Sequence, residues 1–61
     1  MDVNAAWKEL AEVYGEDDAR SRELATTILT WIDCSGFPPT ITGKFCFDRT
    51  IAWSTCQEIL T

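Results

Sequence analysis

A chain of 61 residues with net charge −5, three cysteines and no histidine leaves room for a single domain, residues 1–61. A protein of this size buries only about 60% of its unfolded surface, and its core supplies roughly 3–5 kcal/mol of net stability. A deep substrate cavity is hard to build at this length, and the acidic balance opposes direct binding to a phosphate backbone.

Hydrophobic residues make up 46% of the chain, including three Trp and three Phe, which argues for an ordered core. Charge is spread unevenly. Residues 1–33 carry eight acids and three bases, whereas residues 34–61 carry two of each.

The first element is read from VNAAWKELAEVYG. Val3, Trp7, Leu10 and Tyr14 recur at helical spacing to form one apolar stripe, widened by Ala6, Ala11 and Val13. Lys8, Glu9 and Glu12 take the opposite face. Asp2 suits the N-cap, and Gly15 stands where a glycine ends a helix.

Glu16, Asp17 and Asp18 then open a second helix running to about Cys34, with Asp17 or Asp18 as its cap. Asp18 and Arg22 stand four apart in the favourable acid-first order. Leu24, Ala25, Ile28, Trp31, Ile32 and Ser35 are expected on the core side, and Glu23, Thr26, Thr27 and Thr30 opposite. TTILTWI is rich in strand formers, but it lacks period-2 alternation, so the helix is preferred. Gly36 is expected to end it.

The stretch GFPPTITGKFCF (Gly36 to Phe47) forms a long connection holding all three phenylalanines. Pro38 and Pro39 favour an extended path. Residues 40–43 suit a turn, and Lys44 to Phe47 alternate as a short extended segment, so a small hairpin fits here. Phe37, Ile41, Phe45 and Phe47 are expected to fold back as a plug that completes the core, leaving one or two aromatics for contact. DRTIAWSTCQEIL reads as a third helix capped by Asp48, with Phe47 stapled against Ala52. Ala52, Cys56, Ile59 and Leu60 form its buried stripe and Trp53 the edge. The expected fold is therefore all-α: three helices, with a long aromatic, proline-containing loop between the second and third.

Catalysis is poorly supplied. The usual general base is missing without histidine. Cys34 and Cys56 fall near helix C-termini, where the dipole disfavours a thiolate, and Cys46 between two phenylalanines is expected to be desolvated. The odd cysteine count and the lack of a CxxC pair predict reduced thiols acting as small apolar groups, with no metal. Gly15, Gly36 and Gly43 are isolated, so no phosphate-cradling loop is present. The expectation is a non-enzyme without cofactors. A helix-turn-helix DNA binder would have to read bases with Arg20 and Arg22, or with Arg49 alone, against a net charge of −5. The first thirty residues lack a basic start and an apolar run, and no stretch is long enough to span a bilayer, so a cytoplasmic protein is expected.

Two surfaces remain as candidate contact sites. Glu9, Glu12, Glu16, Asp17, Asp18 and Glu23 cluster around the turn joining the first two helices, and Phe37, Phe45 and Trp53 offer apolar anchors. Together they predict a small acidic protein that inhibits or modulates a larger protein with a basic surface, without touching nucleic acid or membrane itself. In general composition the chain is similar to the small acidic inhibitors of nucleoproteins made by phages and mobile elements, anti-CRISPR proteins among them. The alternative is a self-associating accessory protein that buries its aromatic loop in a homodimer.

Overall fold

The computed structural model describes residues 2–61 and contains three helices, α1 (Val3–Val13), α2 (Asp18–Asp33) and α3 (Phe45–Leu60). The all-α expectation is met. Asp2 caps α1, its carboxylate accepting from the N–H groups of Asn4 and Ala5. Asp17 caps α2 by accepting from the Arg20 N–H at 3.0 Å. Between them Val13 to Glu16 form a tight turn in which Glu16 N–H donates to the Val13 carbonyl. Gly15 holds φ +85° there, a conformation that side chains resist.

α2 is the spine, packing against both α1 and α3. Its buried face is Leu24, Ala25, Ile28 and Ile32, joined by Val3 and Leu10 from α1 and by Ala52 and Cys56 from α3. Trp7, Trp31, Trp53, Ile59 and Leu60 are only half-buried around this cluster. Val3 lies beside Phe45 and Asp48 at the start of α3, and Tyr14 beside Glu58 and Ile59 at its end, so α1 and α3 run parallel. No Cα of α1 comes within 8 Å of one in α3.

Several local expectations are corrected. α2 ends in a left-handed turn carried by Ser35 (φ +66°) rather than by Gly36. Ser35 N–H donates to the Ile32 carbonyl and Gly36 N–H to that of Trp31, the paired bonds of a Schellman ending. Ser35 is therefore exposed, not on the core side. Gly36 is required for a different reason. A Cβ there would stand 2.5 Å from the Trp31 indole.

α3 starts at Phe45, one turn earlier than the Asp48 cap implies, and no hairpin forms. Asp48 lies inside the first turn, its own N–H donating to the Lys44 carbonyl at 2.8 Å. Its carboxylate is engaged by the loop instead of by the helix N-terminus. Phe47 consequently sits within the helix rather than ahead of it as a staple.

The aromatic plug is also overturned. Phe37 is 74% exposed, Phe45 52% and Phe47 61%, and Ile41 is exposed too. Pro38 and Pro39 occupy the buried place instead. The rings turn outward because the backbone around them is pinned inward: the Trp31 indole N–H donates to the Phe37 carbonyl at 2.8 Å, and the prolines that follow pack beneath.

Candidate functional site: an aromatic strap

The loop from Cys34 to Lys44 is held at three further points. Thr40 N–H donates to Asn4 Oδ1 at 2.7 Å, tying the strap to the start of α1. Asp48 Oδ1 accepts from both the N–H and the hydroxyl of Thr42 at 2.7 Å, and Oδ2 accepts from Gly43 N–H at 3.2 Å. Gly43, at φ +88°, supplies the reversal that brings the chain into α3. Burial opposes ionisation of Asp48, but the bonds from Thr42 and Gly43 outweigh it and hold the carboxyl below the ordinary range.

Phe37 on this fixed strap and Phe45 at the start of α3 meet edge to face, with centroids 6.0 Å apart and planes at 89°. Phe47 stands about 200° further round the helix than Phe45, where the Lys44 ammonium lies 5.7 Å from its ring centroid. Phe37 and Phe45, both expected in the plug and both candidate anchors, thus lie together as one exposed apolar patch. Phe47 is a separate exposed ring. Trp53 is half-buried against the cluster and is not part of this site.

The acidic residues do not act as one group. Glu9 accepts from Arg20 Nε at 2.6 Å, and Glu23 accepts from another nitrogen of the same guanidinium. Arg20 lowers the Glu9 carboxyl from its ordinary value. Asp17 is occupied as a helix cap. Glu12, Glu16 and Asp18 remain exposed, and among the described residues they form no ion pair. The expected Asp18–Arg22 pair is not made, since the ion pairs among the described residues all use Arg20.

A second apolar feature arises only from the packing of two helices far apart in sequence. Trp7, Leu10, Ala11 and Tyr14 face Thr55, Glu58 and Ile59 across an open groove of about 420 Å³ between α1 and α3. Tyr14, expected on the core stripe of α1, is instead 64% exposed at the mouth.

The thiols are free, and two of them are exposed. Cys56 alone is buried, and desolvation pushes its pKa up to about 11. Cys34 and Cys46 reach solvent, against the expectation of core or near-core groups. Starting α3 at Phe45 puts Cys46 in the first helical turn rather than between two packed rings. Among the described residues, no group of three or more His, Cys, Asp or Glu side chains is placed to hold a metal ion, and no helix is long and apolar enough to cross a membrane.

The chain matches no family model, no curated protein and no solved structure.

Proposed function

We propose that this chain is a non-catalytic binding protein that docks on a larger protein through Phe37 and Phe45, and so inhibits or modulates it. The observation that carries this reading is the exposure of two large aromatics, Phe37 on a strap pinned by Trp31, Asn4 and Asp48 and Phe45 at the start of α3 beside it. Exposed rings on a mobile loop lose entropy on binding; on a fixed strap that cost is met at folding. Aromatic anchors of this kind carry much of the free energy of protein interfaces. Glu12, Glu16 and Asp18 supply the unpaired negative charge that favours a partner with a basic surface and quickens encounter. Arg20 removes Glu9 and Glu23 from that role.

The composition shared with phage and mobile-element inhibitors, anti-CRISPR proteins among them, makes a nucleic-acid-handling protein with a basic groove the favoured partner class. Three free thiols fit a reducing, cytoplasmic setting. Affinity capture from the native host, with wild type beside Phe37→Ala and Phe45→Ala, tests the reading. Both substitutions are at exposed rings, so the fold should survive, as circular dichroism would verify. Loss of a captured protein with both variants is expected. An unchanged captured set would overturn the reading.

A homodimer is favoured by one observation, the open groove between α1 and α3. Light scattering across a concentration series separates the two. A dimer disrupted by Tyr14→Glu, and indifferent to Phe37→Ala, would shift function to the groove.

A further inference from the structure

Asp48 is 3% exposed and is the one buried carboxylate among the described residues. Buried charges are normally balanced by an opposite charge. Here the partners are all neutral: Thr42 N–H, Thr42 hydroxyl and Gly43 N–H, with the Ile41 N–H also favouring the ionised form. The two nearest bases in sequence do not help. Lys44 lays its ammonium over Phe47, and Arg49 is exposed and makes no ion pair among the described residues.

The same carboxylate lines a cleft of about 300 Å³ whose other walls include Phe37, Phe45, Val3 and Pro38. That volume is at the lower end of ligand pockets, roughly 300–1,000 Å³, and suits one side-chain head rather than a metabolite. Phe37 and Phe45 stand at 89° to one another, so the edge of one ring meets the face of the other and the ring presenting its edge keeps its own faces clear of its neighbour. Ring faces carry the negative end of the aromatic quadrupole. A ring face beside a buried carboxylate whose hydrogen-bond partners are all neutral, partly screened from water, attracts an organic cation.

The geometry points to a subsite for a lysine- or arginine-type cation in the Phe37–Phe45–Asp48 cleft. This rests on the docking role proposed above and names its chemistry: the partner sets a basic side chain from its surface into the cleft beside the ring pair. The carboxylate supplies the charge, the open ring face supplies cation–π contact, and Val3 and Pro38 receive the aliphatic stem.

The test is amide-resolved NMR titration of the protein with n-butylammonium, n-butylguanidinium and neutral n-butanol. Saturable shifts at Thr42, Gly43 and Phe45 with the cations, absent with n-butanol at equal concentration, are expected. Asp48→Asn should weaken the cations about ten-fold. Because that variant disturbs the strap, Phe45→Ala is run beside it, leaving the Thr42 and Gly43 bonds in place, and it should weaken them too. Equal shifts with n-butanol, no saturable shift with either cation, or cation binding unaltered in both variants would each overturn the proposal. If the cations fail while Phe37→Ala and Phe45→Ala still lose the captured protein, the subsite falls and the docking role stands. If the captured set is also unchanged, both fall.

Discussion

The Trp31 indole sits against Gly36 so closely that a methyl group there would come within 2.5 Å of the ring, while its N–H reaches past to the Phe37 carbonyl. One side chain therefore both closes α2 and fixes the departure of the strap. Gly36→Ala should lower stability by about 1–3 kcal/mol, the usual cost of forcing a group into filled space. Trp31→Phe, which keeps an aromatic ring but loses the donor, should cost about 1 kcal/mol. Urea unfolding followed by circular dichroism measures both. A Gly36→Ala variant with an unchanged midpoint would show that the indole does not rest there.

Ser35 makes the opposite case. It holds φ +66° without the freedom that glycine has, a conformation that costs an ordinary residue about 1–2 kcal/mol. Ser35→Gly should therefore raise stability by about 1 kcal/mol, less the extra freedom it gives the unfolded chain. A lowered urea midpoint for this exposed position would rule out the left-handed ending.

Asp48 gives the strap its pH dependence. Its carboxyl is depressed below the ordinary value of 3.8, with burial opposing ionisation and the Thr42 and Gly43 bonds overcoming it. The stabilisation is thus fully present above about pH 4 and is lost as pH falls through the lower, folded-state value. Urea midpoints measured from pH 6 to pH 2 should fall more steeply in wild type than in Asp48→Asn over the acid end. Parallel curves would mean that the carboxylate does not tether the loop.

The thiols should sort cleanly by position. Cys34 and Cys46 are exposed and Cys56 is buried with its pKa pushed up to about 11. A neutral-pH thiol reagent should label two sites per native molecule, and a third only in denaturant. Mass spectrometry of the digested protein assigns them. Native labelling of Cys56 would show that the α2–α3 interface opens.

The helices were legible because their signals are local. Asp2, Gly15 and Asp17 do what their residue types suggest, and the stripe of α2 at Leu24, Ala25, Ile28 and Ile32 is the buried one. Asp48 misled for a physical reason. An acid ahead of an apolar run is the usual mark of a helix start, but this carboxylate satisfies N–H groups of the preceding loop, not of its own helix. Once α3 is moved back by one turn, Phe45 and Phe47 lose the alternating geometry that put them together. Nor does hydrophobicity alone say that Pro38 and Pro39 outcompete three phenylalanines for the interior. The prolines are inside because Trp31 and Asn4 pin the backbone on either side of them.

The separation of the α1 and α3 backbones shapes how the molecule assembles. α1 can close on α2 through a short connection, residues 14–17, whereas α3 must be returned by the longer segment 34–44. Shorter closures cost less entropy and occur sooner, so the helical hairpin α1–α2 is the natural nucleus and α3 arrives second. Either outer helix can then peel away while the other stays docked, but α2 is released only when both have left. Its amides should be the last in the chain to exchange with solvent deuterium, with α1 and α3 marking two smaller openings on the way.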